Sequence, residues 1–509
     1  MLKPFLCAVT MAAMLTTGAK AETQPPGELA LRGLAGQLAV LEASPSANPF
    51  EVGMLQTLRA VEKVVQARYE YGLGDSALNL PLLRIRTRGA TNPRAKPAGP
   101  ETLSKIITTF TEDMDTARAT LDTARADGVQ PFEMMISDIW FDINQNATME
   151  RGENAAQLIG GFVLDRASRR ALLRSKEMPV IDVRFDDADL AWLMAYTHML
   201  SGAADAFLAF DPTPVFRDLE AKQALLKDMP RLPEFYDLSK VSAEIAEMEA
   251  KKAKYDARLK ELRKEIKPFQ QQVRETYQQE RKPDVKGDKD KRAEIKARRK
   301  LIEDAMTPLR DEQRNLSRES RTLRGELASA KAKLPMGGSS LRNSAQQFRP
   351  TADAIYVLLA ALRQQPDPAH IKAMFGHWRA MIAENRKFWA LVAQETDNDK
   401  EWIPNPQQVS ALGLEVSAEQ AEAWQSVLSD AEAALAGRLL VPHPLLPTGT
   451  GISLAHYEQN PTPIDIVNAL HGIGFYEHVA RGSRISMQAW RAFGRLTNGR
   501  AGAMAFYFN

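Results

Sequence analysis

Residues 241–281, VSAEIAEMEAKKAKYDARLKELRKEIKPFQQQVRETYQQER, and residues 292–327, RAEIKARRKLIEDAMTPLRDEQRNLSRESRTLRGEL, decide the fold. In the first stretch apolar side chains step alternately by three and four: Ile245, Met248, Tyr255, Leu259, Leu262, Ile266, Phe269 and Val273, interrupted at Lys252. In the second, Ile295, Ile302, Leu309, Leu316 and Leu323 recur every seventh residue. That repeat keeps a narrow apolar stripe turned toward a partner helix, which marks a supercoiled seam rather than a single globular face. Between the stretches, Lys282-Pro283-Asp284-Val285-Lys286-Gly287-Asp288 holds the breakers that a reversal needs.

The two stripes also agree in register. Facing residues of an antiparallel pair have numbers of constant sum, and Val273 with Ile302, Ile266 with Leu309 and Leu259 with Leu316 share one sum. Pro268 and Pro308 miss it by one, so two prolines that would each kink a lone helix fall opposite one another. Residues 239–335 are therefore expected to form a long antiparallel coiled-coil hairpin with its tip near 282–291. Arms of about 40 residues would reach roughly 60 Å.

Both ends of a hairpin lie at its base. Residues 22–238 and 336–509 are accordingly expected to join in one helical body, with two separate bodies as the alternative. The expected fold class is all-α: a helical body with an inserted long hairpin. Residues 28–43 are amphipathic, and a second helix starts near Pro49 behind the cap Asn48, with Val52, Leu55, Leu58, Val61 and Val65 on one stripe. Gln130-Pro131-Phe132-Glu133 reads as a similar helix start, and Thr102–Arg125 as a helix after the loop at 89–101. Asp187–Phe210 is apolar nearly all round, as a deeply buried helix would be. Ser417 with Gln420 makes a capping box for a helix running to Gly437. Ala505–Asn509 is expected to pack into the body.

Lys3, the apolar run Phe5–Thr17 and Ala19-Lys20-Ala21 have the form of a secretory signal peptide over residues 1–21. No later stretch reaches about 18 uninterrupted apolar residues, so no transmembrane segment is expected after processing. The single cysteine, Cys7, lies in the signal segment, which leaves no disulfide, thiolate nucleophile or cysteine ligand behind. The expected location is periplasmic or secreted. Residues 241–335 carry 26 basic and 18 acidic side chains, so a formal charge of +2 conceals a basic arm and an acidic remainder.

The sharpest local motif is Asp142-Ile143-Asn144-Gln145-Asn146-Ala147-Thr148-Met149-Glu150-Arg151-Gly152-Glu153. It resembles a single degenerate EF-hand calcium loop, whose ligands fall at positions 1, 3, 5, 7, 9 and 12. The resemblance implies Asp142, Asn144, Asn146, the carbonyl of Thr148, Glu150 and Glu153 as ligands and calcium as cofactor. Phe132–Phe141 would be the entering helix and Ala155–Leu164 the leaving one. Ala147 stands where the pattern has glycine, at roughly 1 kcal/mol if the left-handed turn is kept. The competing reading is a polar loop whose Asn and Asp side chains cap helix ends.

Of the seven histidines, His471 and His478 are seven apart and read as one helix face, while His198 reads as a core residue. No His-Glu-x-x-His or His-x-His spacing, serine elbow or phosphate loop occurs. Residues 281–300 hold ten Lys or Arg against four acids, without interleaved aromatics, which points away from nucleic acid and toward a protein or an anionic envelope component. The expected function is an exported non-catalytic envelope scaffold or adaptor, braced by calcium and meeting its partner through the basic tip. The alternative is a periplasmic hydrolase using body carboxylates, with the hairpin as a docking arm.

Overall fold

The computed structural model describes residues 27–73, 92–150, 152–155, 181–228, 238–332, 353–398, 400–411 and 415–509. The expected signal segment and most of Ala155–Leu164 lie outside them. The protein is predominantly helical, with two small antiparallel sheets of two strands each among the described residues. It falls into two compact units, residues within 228–349 forming one and those within 1–227 and 350–509 the other.

The smaller unit is built from α6 (Leu238–Glu280), a short α7 (Pro283–Lys286) and α8 (Lys289–Ala332). Both long helices continue through their prolines, Pro268 and Pro308. Their packing is antiparallel: Arg258 meets Glu312, Arg299 donates to Thr276, and Lys331 meets Glu249. Buried positions such as Leu262, Ile266 and Thr276 on α6, and Met306, Ser320, Leu323 and Leu327 on α8, recur at steps of three and four or their sums. The seam is thus mixed, with hydroxyl groups set among the apolar residues.

In the larger unit, α1 (Glu28–Glu42), α2 (Pro49–Glu70) and α3 (Thr102–Asp127) precede β1 (Phe132–Met135) and β2 (Asp182–Phe185). Asn48 caps α2 through the amide of Phe50 at 3.0 Å. The helix start read at Pro131 is absent. Gly128, at φ 87°, stops α3, and Phe132–Met135 pairs antiparallel with β2, Phe132 opposite Phe185. Phe132 also lies edge-on to Phe50, with centroids 5.1 Å apart, so tertiary packing overrides the local pattern.

The centre of this unit is α4 (Asp187–Leu208), followed by α5 (Thr213–Asp228), then α9 (Pro368–Val392) and α10 (Ala418–Leu435). Helix α4 packs along α9, and the two come close at Gly202, where an added methyl group would stand 2.6 Å from the Trp378 ring. The capping box of Ser417 and Gln420 forms, and α10 stops before Gly437 at φ 73°. The last helix, Ala501–Phe508, is locked in place. Asn385 Nδ2 and Trp389 Nε1 donate to the Phe508 carbonyl, and Phe508 packs among Trp389, Trp424 and Phe493.

Candidate functional site

The loop at 142–153 is the motif with the most local order. It is entered from β1 and a 3-10 turn (Ile136–Asp138), not from a helix, and is closed by a bridge between Trp140 and Asn154. The expected entering helix Phe132–Phe141 is corrected accordingly: the strand partner that forbids it lies 50 residues later in sequence. Within the loop, Asp142 Oδ1 and Oδ2 accept the amides of Asn146 and Ala147, both at 2.9 Å. Asn144 Oδ1 accepts the Asn146 amide and Asn146 Oδ1 the Thr148 amide. Ala147 takes φ 56°, the left-handed turn that the motif ordinarily assigns to glycine.

Glu153 closes the loop from its far end. Its carboxylate is buried and accepts the amides of Ile143 at 3.0 Å and Glu150 at 2.7 Å. Burial raises its pKa above the ordinary carboxylate value, and the charges of Asp142 and Glu150 push it the same way. Glu62 and Gln66 of α2 hold the backbone of Asp142, at 2.6 and 2.7 Å. The loop therefore offers hard oxygen donors on a curled, buttressed backbone, the donor chemistry that suits calcium. Among the described residues no three Asp, Glu, His or Cys side chains gather as a metal-holding group, so a cation here would draw on the Asn144 and Asn146 amide oxygens and the Thr148 carbonyl as well.

The hairpin tip is the second candidate. Arg299 lies over the Tyr277 ring at 3.7 Å and pairs with Glu280. Lys291 pairs with Asp288 and Arg292 reaches Glu280. The other cations of the tip, Arg281, Lys282, Lys286, Lys289, Lys296, Arg298 and Lys300, are exposed and form no ion pair among the described residues, although the charge of Lys296 reaches Glu280.

Comparison with family models, curated proteins and solved structures finds no match. The site must be read from its own chemistry.

His471 and His478 are placed differently from their sequence reading. His471 follows the short helix Ile466–Leu470 and is exposed, whereas His478 ends a 3-10 turn and is buried, so they share no helix face. His478 Nδ1 meets His456 Nδ1 at 2.9 Å, and its Nε2 meets Thr462 Oγ1 at 2.8 Å. His198 Nδ1 meets His377 Nδ1 at 2.8 Å, a contact between α4 and α9. Two nitrogens at this distance share one proton as N–H···N; two imidazolium rings would repel.

The hydrolase alternative asked for facing acids in a pocket. Burial pushes Glu395 up to about 7 and raises Asp186 and Asp189, as it also raises Glu51, Glu62, Asp138 and Glu153. Asp186 and Asp189 form the capping box of α4, and none of these seven acids lines either of the two clefts beside the start of α3. Among the described residues no helix is long and apolar enough to cross a membrane.

Proposed function

We propose that this chain is an exported, non-catalytic envelope scaffold whose coiled-coil hairpin meets an anionic envelope surface through its tip, with calcium bracing the 142–153 loop of the helical body. The supporting observation is the group of seven exposed tip cations that form no ion pair among the described residues. Each such cation near an anionic surface contributes about 1 kcal/mol, and the sum falls as salt rises. Negative charge is the shared chemistry of these surfaces, carried by phosphate on anionic lipid headgroups and by carboxylate on peptidoglycan.

The test is co-sedimentation of the full chain with phosphatidylglycerol vesicles and, separately, with purified sacculi. Phosphatidylcholine vesicles serve as the control. Replacing the seven cations with Gln should abolish pelleting with whichever surface is bound, and pelleting that survives the replacement would refute the tip assignment. For the loop, calcium at about ten times Kd should stabilise the body by about 1.4 kcal/mol, read as a rise in melting temperature that Glu153→Gln removes. Equal melting with and without calcium would dismiss the brace.

A further inference from the structure

Two adjoining clefts of about 540 and 660 Å³ open where the start of α3, the end of α4 and the start of α9 meet, and they share Ser104, Thr108, Asp211 and Pro214. Asp211 stands between them. Its Oδ1 accepts the Thr213 amide at 2.9 Å and the Thr213 hydroxyl at 2.7 Å, and the Ser104 hydroxyl also donates to it. No donor among the described residues reaches Oδ2. Burial works against the charge of this carboxyl, but the Ser104 and Thr213 hydrogen bonds outweigh it and hold the pKa below the usual value. One oxygen of an ionised carboxylate is therefore left to a ligand.

His370, in the first turn of α9, lines the larger cleft. Its Nδ1 lies 2.9 Å from Asp205 Oδ1, and Asp205 is itself backed by His377 at 3.5 Å. A carboxylate at Nδ1 selects the tautomer that carries its hydrogen on that nitrogen, and in this tautomer Nε2 presents a lone pair. The larger cleft thus presents Asp211 Oδ2 and His370 Nε2 as acceptors, with Asp367, whose Oδ1 caps Ala369, as a second carboxylate on its wall. Lys105 and Arg217 line the smaller cleft, where both pair with Glu101 and Arg217 also acts on Asp211, whereas the lining of the larger cleft holds no Lys or Arg. Leu208, Phe210, Pro214 and Pro366 give the remaining wall an apolar character.

An ammonium group has three donors and no acceptor, and an alkyl stem suits an apolar wall. We propose that this cleft binds a small primary alkylammonium ligand, its nitrogen donating to Asp211 Oδ2 and His370 Nε2 and its stem lying on Phe210 and the prolines. Asp205 is a positioning residue: it fixes the His370 tautomer without touching the ligand.

The experiment is calorimetric titration of the full chain with putrescine, with 1,4-butanediol as the uncharged control. Putrescine should bind with Kd at or below about 1 mM and the diol should not bind up to about 10 mM. Asp211→Asn and His370→Phe should each weaken putrescine at least about tenfold, a loss expected of a charge-assisted hydrogen bond. Absence of putrescine binding to the native chain overturns the proposal, as does equal affinity for amine and diol. Should Asp211→Asn melt early, His370→Phe decides: binding that ignores it also overturns the assignment.

Discussion

The hairpin and the body hold themselves together by different means. The hairpin buries aliphatic and small hydroxyl side chains in one thin seam, and its cross-arm contacts include exposed ion pairs such as Arg258–Glu312. The body buries Phe50, Phe110, Phe141, Phe375, Phe388, Phe493 and Phe508 completely, and carries every histidine of the chain. The contrast separates a unit whose stability is spread evenly along its length from one concentrated in aromatic nodes, and it gives only the body a means of sensing mild acid.

Truncating an aromatic node should produce the largest break. Phe388→Ala is expected to cost about 3–5 kcal/mol and to lower the melting of the body in calorimetry. Leu262→Ala, at an equally buried seam position, should cost about 2–4 kcal/mol and loosen the hairpin, seen as faster amide exchange in α6 and α8. A third test uses acid. Burial first, then the charge of Arg118 and the ring of His377, push His198 down to about 3, and burial lowers His377 and His478 too. His198 stays neutral in the fold, and His377 and His478 take up a proton less readily folded than unfolded, so the contribution of all three is lost as pH falls from about 6.5.

For His198 the loss reaches up to about 2 kcal/mol by pH 5. Glu395 acts in the opposite sense. With its pKa raised to about 7, it holds its proton in the fold and favours the folded state as pH drops from 7 toward 4.5. The His198 share is therefore read as the difference in pH slope between the native chain and His198→Gln. The histidine-free hairpin should show no slope of this origin. A hairpin that loosens in step with the body between pH 6.5 and 5 would end the contrast. The smallest effect belongs to Arg258→Ala. Its partners are exposed and screened, so melting should not change measurably, and a clear drop would mean the seam depends on that charge.

The hairpin was legible because every residue of its seam meets a neighbour fixed by register. The stepping residues from Ile245 to Val273 therefore carry the burial pattern in their spacing alone. Asn48, and Ser417 with Gln420, were legible as caps for the same reason: the bond closes within three residues. Phe132–Met135 was not, since its pairing partner is distant in sequence and its ring packs on another helix. In the loop, the donor letters were readable, whereas the strand leading into it was not. The relay behind the cleft left a faint mark: His198 with Asp205 and His370 with His377 each stand seven apart, on one face of a helix. Spacing shows that each helix has a polar face but not that the two faces meet.

That meeting depends on Gly202. A methyl group there would press into the Trp378 ring and crowd the His377 Cβ at 3.4 Å. Gly202→Ala would wedge α4 from α9 at the level where four titrating side chains connect, stretching imidazole contacts that tolerate little lengthening. The missing atom acts as a spacer gauge: one hydrogen in place of a carbon sets the reach across which a proton can be shared.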